Sequence, residues 1–313
     1  MAVRWSEAMR TALYGPDGFY TRQSPAAHFR TSSQLPPFAD AIAEIVRRVD
    51  AATGRPEVFE VVDMAAGGGE LLDRLSRLVP LEGRLRLTGV EVRPRPPGLP
   101  SAVEWREEPP PRVTGLLLAC EWLDNVPLDL CEAGDDGVAR YQLVDPATGT
   151  VTTGEPVSAE DAAWLRRWWP TPPGTVAEIG TTRDAAWRDL TARLDRGLAV
   201  AVDYGHTRAT RPGFPTLTGF RDGREVAAIP DGRGDVTAHV AMDSPGGELI
   251  RQRDALRALG VTGARPDRET ALRDPAGYLA ALSAAGQAGE LLAPGGLGGH
   301  WWLLQPAGIH FRL

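Results

Sequence analysis

The 313-residue sequence contains no lysine: each of the 34 residues counted as Lys or Arg is an arginine. That absence has chemical force, because Schiff-base enzymes, pyridoxal-phosphate enzymes and P-loop nucleotide hydrolases all place a lysine at the centre of their chemistry. With abundant Arg, Ala, Gly and Pro it also fits a GC-rich bacterial genome. Cysteine is scarce. Cys120 and Cys131 cannot make a disulfide framework, and no Cys/His spacing offers a metal site. No apolar run approaches the ~20 residues of a membrane span, and the opening MAVRWSEAMR lacks the apolar core of a signal peptide. A cytoplasmic protein with no membrane partner is expected. No G-x-S-x-G elbow occurs, which argues against a standard α/β-hydrolase. Net charge −7 and a pI near 5.4 argue against a nucleic-acid partner. What is present is 42% hydrophobic residues, enough for one large core or two modest ones.

The rest of the chain is organised around Val58–Leu72, VFEVVDMAAGGGELL. An apolar, β-branched run reaches Asp63, passes through small residues and three glycines, and enters an amphipathic segment near Glu70. This is a buried parallel strand, a tight turn and a helix, the first half of a nucleotide-binding βαβ unit. Three readings compete for the turn. The dinucleotide fingerprint G-x-G-x-x-G is not met, and a phosphate loop lacks its lysine. The third pattern, acid-x-G-x-G-x-G, is the one class I methyltransferases use to hold S-adenosylmethionine (SAM). Asp63, Gly67 and Gly69 fit it, with Ala65 at the first glycine position. An ordinary glycine-rich connection would be preferred if this stretch stood alone. Ala65 is expected to be tolerated because its methyl faces strand packing or a turn with φ < 0.

A second strand reads from Arg84 to Glu91 and ends in an acid 22 residues beyond Gly69. Doubly wound folds put a carboxylate there to accept hydrogen bonds from a ribose diol. Glu91 is the candidate, against the plainer reading of a solvated strand-end charge. The following Arg93–Pro100 is too proline-rich for the helix such a unit normally carries.

Ahead of the glycine turn, a short helix is expected over Trp5–Leu13 and an apolar-periodic one over Phe38–Val49. Between them lies YGPDGFYTRQSPAAHFRTSSQLPPFADAIA. On composition alone, residues 14 to 33 are an unremarkable surface loop. The segment nevertheless resembles the N-terminal signature of the MidA family, SAM-dependent methyltransferases that include the mitochondrial complex I assembly methyltransferase. In that family Tyr-Gly-x-x-Gly-x-Phe/Tyr leads to Phe-x-Thr-Ser and a helix before the SAM loop.

Strands are also expected over Ala102–Trp105 and Val113–Ala119, the second emptying into Cys120-Glu121-Trp122-Leu123-Asp124-Asn125-Val126-Pro127. Ligands of open parallel sheets sit beyond the carboxyl ends of the strands, so Glu121 and Asp124 stand where a methyl acceptor would meet the cofactor. The segment is similar to the family's Asn-Glu-x-x-Asp-Ala-x-Pro, with Cys120 for Asn and Asn125 for Ala. Further similarities lie at Asp203-Tyr204-Gly205, Thr216–Arg221 and Asp235–Val240. His206 and His239 are given no catalytic role, since a lone His is more often structural. The region from about 131 to 197 reads as an insertion. It has a hairpin about Asp145–Gly149, a helix capped by Ser158 that runs to Trp168-Trp169, and a second helix over Thr182–Leu194. Beyond Gly197–Asp203, another strand, a helix is expected from a Ser244 cap to Gly260, presenting Leu249, Leu256 and Leu259. His300–Gln305 reads as a closing antiparallel edge strand.

The resemblance implies an α/β fold with a class I methyltransferase Rossmann-like sheet, an N-terminal helical segment and an inserted cap region. The expected division is 1–55 as the N-terminal, substrate-facing segment, 56–130 with 197–313 as the SAM-binding core, and 131–196 as the cap. SAM is the expected cofactor, held by Asp63, Ala65, Gly67, Gly69 and Glu91. Glu121 and Asp124 would be catalytic toward a protein or small-molecule acceptor, and resemblance to an arginine methyltransferase makes a guanidinium the first candidate. The rivals are a small-molecule methyltransferase and a noncatalytic scaffold that keeps the fold. The oligomeric state is left open.

Overall fold

In a computed structural model, which describes residues 1–23 and 30–313, the four apolar runs become neighbouring central strands. The strands of the main sheet are β1 Phe59–Met64, β2 Leu85–Val90, β3 Val103–Arg106, β4 Val113–Cys120, β5 Leu194–Asp203, β6 Glu248–Arg251 and β7 Trp301–Ala307. They lie in the order β3-β2-β1-β4-β5-β7-β6. β1 to β5 are mutually parallel, and β7 inserts antiparallel between β5 and β6. Val61, Leu116, Leu118, Leu198 and Val200 enter one buried layer, while Val62, Leu117, Ala119, Ala199 and Ala201 enter the other. This strict alternation on strands that are apolar throughout is what burial on both faces requires.

Helices cover the sheet. With α1 at Trp5–Tyr14, the first face is covered by α2 (Pro36–Ala52), α3 (Glu70–Leu78), α6 (Gln252–Ala258) and α7 (Pro275–Leu292). On the second face α5 (Thr181–Thr191) buries Trp187 and Leu190. The insertion builds a second sheet from Asp129–Ala133, Ala139–Val144, Val151–Pro156 and Val176–Ile179, with α4 (Ala159–Trp168) against it. The chain's start joins that sheet: Val3–Arg4 pairs antiparallel with Leu143–Val144. A third, small sheet joins Thr218–Arg221 to Arg224–Val226 and Asp235–Thr237.

The Arg93–Pro100 stretch is indeed not helical. The Arg95 guanidinium donates to the carbonyls of Leu99, Pro100 and Val103, and the Trp105 indole donates to Arg93 O at 2.9 Å, so side chains satisfy backbone acceptors that a helix would satisfy itself.

Two expectations are corrected. No helix begins at Ser244; its hydroxyl donates to Asp184 and to Ala241 O, and Glu248–Arg251 is β6, with helix only from Gln252. The open edge of β7 supplies a ladder of backbone partners, which outweighs the local Ser cap and leucine spacing. For the same reason β7 is antiparallel but not the edge, because β6 covers it. The His28-Phe29 portion of the N-terminal signature lies outside the described residues.

Candidate active site

The carboxyl ends of β1, β2, β4 and β5 open onto one cavity of about 470 Å³. Asp63, Ala65, Gly67, Glu91, Glu121 and Asp124, from three separate segments, all line it. Gly69 does not; it caps α3 in a left-handed conformation (φ 77°), and a Cβ there would meet Leu99 Cδ1 at 2.8 Å, so it serves the packing of α3.

The loop from β1 to α3 is held from outside. Ala66 N–H donates to Val90 O at 3.1 Å, Gly67 N–H to Glu91 Oε2 at 3.0 Å, and the Arg93 guanidinium to Gly67 O at 2.9 Å. Glu91 Oε1 also accepts the Val92 and Arg93 amides at 2.9 and 3.3 Å. The turn needs left-handed backbone at Ala65 (φ 57°) and Gly67 (φ 60°). Ala65 therefore does not occupy the φ < 0 turn expected of it. A methyl-bearing residue sits where the fold calls for glycine, at a cost of roughly 1–2 kcal/mol.

Asp63 is buried, and its carboxyl is pushed up to about 7, first by desolvation and then by Glu70 and Glu91 nearby. A buried acid among acids is stabilised by an incoming cation. The amino-acid end of SAM carries an ammonium beside its sulfonium, and an added Cβ at Gly67 would meet nothing within 4 Å, so the space beside the loop is open. The residues present thus fit SAM.

Beyond the loop, Glu121 follows β4 with φ 51°, and its Oε1 accepts the Ser32 amide at 3.2 Å. Burial, and then Asp124, push its carboxyl up to about 8. Asp124 lies in the turn Leu123–Asn125 and is buried. Its Oδ2 accepts from the Tyr204 hydroxyl and from Thr237 Oγ1 at 2.8 Å, while Oδ1 has no protein partner. Asp203, fully buried at the end of β5, accepts the Leu123 and Asp124 amides at 3.0 and 3.3 Å and so fixes that turn. Tyr14 and Tyr20 stack at 5.8 Å and donate to Asn125 O and Oδ1, and the Asn125 amide donates to Asp235, whose carboxyl burial raises to about 7.

Tyr204, Thr237, Asp235 and Asp203 fall in stretches that sequence alone brought forward, but without roles. Arg183 carried no sequence signal at all. His239 lines the cavity with its ring edge-on to Tyr204 at 5.2 Å; His206 lies behind it, bonded to Arg211. Desolvation lowers the pKa of both imidazoles, that of His206 to about 3. Among the described residues no His/Cys/Asp/Glu group could hold a metal ion, and no helix is long and apolar enough to cross a membrane.

A parallel five-strand core in the order 3-2-1-4-5, a last strand turned antiparallel, and an acidic pocket beyond the strand ends define a class I methyltransferase. The family described as "Putative S-adenosyl-L-methionine-dependent methyltransferase" matches residues 77–244, more than half of the chain, and the chain belongs to it. It is similar, at 25% identity and a TM-score of 0.79, to a COG1565 superfamily member from Burkholderia thailandensis solved with S-adenosyl-homocysteine bound. That match covers 100% of this chain and 89% of the other. A native structure of a COG1565 superfamily protein from the same organism shares the fold at 24% identity and a TM-score of 0.77, with the same coverage of 100% and 89%. No curated protein matches. The protein is a SAM-dependent methyltransferase.

Proposed function

We propose that the chain methylates a cationic nitrogen, the guanidinium of a protein arginine, as a MidA-type enzyme. The observation that carries this reading is the charge of the cavity wall. Eight acids line it, from Asp63 and Glu91 beside the loop to Glu121, Asp124, Glu225 and Asp235 beyond, and among the described residues no arginine does. In a chain whose only strong cation is arginine, used 34 times, such a wall favours positively charged ligands.

In this reading Asp63 faces the ammonium of SAM, Glu91 its ribose, and Ala65, Gly67 and Gly69 shape the loop. When bound, SAM would supply an activated methyl for in-line displacement, the N–C bond forming as the S–C bond breaks, S-adenosyl-homocysteine leaving and the nitrogen's proton passing to a carboxylate of the wall, so the protein's tasks are alignment and taking up that proton. A guanidinium has a pKa above 12 and is a poor nucleophile. Glu121 and Asp124 would grip its planar N–H groups, draw positive charge toward the bound nitrogens and leave the remaining one richer in electrons. Residues 1–55 act as the substrate-facing segment and the second sheet with α4, within 131–196, as the cap, while α5 and the start of β5 at Leu194 belong with the core of 56–130 and 197–313.

The test is incubation of the protein with radiolabelled SAM and cell extract. Label in protein, recovered as methylarginine on hydrolysis, supports the reading. Label only in small molecules moves the activity to a metabolite acceptor.

A further inference from the structure

We infer that Arg183 is a positioning residue for Asp124, acting from behind the cavity wall. The inference rests on the reading of Asp124 as an acceptor-binding group. Arg183 lies on α5, on the second face of the sheet, and is almost wholly buried without lining the cavity. Its guanidinium donates to four backbone carbonyls: Asp124 O, Val126 O at 3.1 Å, Ala238 O at 2.9 Å and His239 O at 3.0 Å. No carboxylate forms an ion pair with it among the described residues.

This choice of partners is informative. A buried arginine normally takes a bidentate carboxylate. Here Asp124, the nearest acid in electrostatic effect, gives Arg183 its main-chain oxygen and turns its side chain the other way, to Tyr204, Thr237 and the cavity. The cation therefore offsets the charge of Asp124, and of Asp203 and Glu178, without occupying a lone pair that an acceptor needs. The fork of the guanidinium also ties two separate cavity walls, the turn after β4 and Ala238-His239, into one unit. A lysine cannot reproduce this, because its single ammonium lacks the planar spread of donors.

The experiment uses the full chain, saturated with S-adenosyl-homocysteine, titrated with methylguanidinium as the probe across a range of pH. Wild type is expected to bind it. Arg183→Lys and Arg183→Gln should keep S-adenosyl-homocysteine affinity but bind methylguanidinium about tenfold or more weakly, a loss of about 1.4 kcal/mol. In Arg183→Gln binding should also shift to higher pH, because Asp124, faced by Glu121, Asp203, Asp235 and Tyr204, has lost its neighbouring cation, whereas Arg183→Lys keeps the charge and should show no such shift. In an Asp124→Asn background the same changes should have no further effect. A merely structural Arg183 would weaken both ligands together with no shift in pH dependence, and that result, or wild-type affinity in the variants, overturns the inference. No methylguanidinium binding by wild type overturns the acceptor reading and this inference with it. If neither variant folds, the ¹⁵N signals of the Arg183 guanidinium in wild type decide: a change on adding methylguanidinium supports the coupling, and none overturns it.

Discussion

Glu91, at the end of β2, accepts the amide of Gly67 across the cofactor loop at 3.0 Å. The acid expected at the ribose is thus also a brace for the glycine turn, through the Gly67, Val92 and Arg93 amides. Glu91→Ala should weaken SAM binding by roughly 1 to 3 kcal/mol, the range for losing a charged acceptor. It should also lower the melting temperature, which an acid free in solvent would not do. Calorimetry paired with a thermal melt checks both; unchanged SAM affinity with a lower melt would leave Glu91 a brace alone.

Ala65 gives the opposite kind of prediction. Its left-handed backbone (φ 57°) is strained by roughly 1–2 kcal/mol, and glycine removes that strain at the cost of a freer unfolded chain, roughly 0.4–1 kcal/mol. Ala65→Gly should raise stability by up to about 1.6 kcal/mol, the difference of those terms, and leave SAM affinity unchanged. Denaturant unfolding measures the first and calorimetry the second. A large gain in affinity would mean that the methyl intrudes on the cofactor.

The cavity acids set the pH behaviour. Asp63 is held at about 7 and Glu121 at about 8, chiefly by burial, above the ordinary carboxylate value of about 4. Between those limits the folded protein binds more protons than the unfolded chain, so the stability of the cofactor-free protein should fall as pH rises from about 4 through about 8. SAM binding runs the other way: its ammonium favours ionised Asp63, so affinity should increase as pH rises toward about 7 and then level off. Melts and calorimetry over that range test the two signs, and an affinity independent of pH would remove Asp63 from the ammonium.

The strand ends that build this pocket were legible in the sequence because each is a local signal: an apolar run, an acid, a glycine turn. Asp63, Glu91, Glu121 and Asp124 were found by position in the βαβ pattern, and one sheet edge gathers them. What was not legible depends on distant partners. Ser244 and the leucines after it carry a sound helix pattern, which the open edge of β7 overrides. α7, rich in alanine with one acid among its 18 residues, has no polar stripe for periodicity to detect. Arg183 looks like any surface arginine on a helix until α5 is docked over four carbonyls. The φ of Ala65 is fixed by Ala66 and Gly67 bonding to Val90 and Glu91, which residue type alone does not reveal.

The most direct test is the pair of numbers, SAM affinity and methyl-transfer rate, for Glu121→Gln and Asp124→Asn. Both amides keep the shape of the side chain and remove its charge, and both positions face the acceptor side of the cavity in this account. SAM affinity should therefore stay at the wild-type value while transfer to arginine-containing protein falls by orders of magnitude. Wild-type turnover in both variants, or loss of SAM affinity in both, would contradict it.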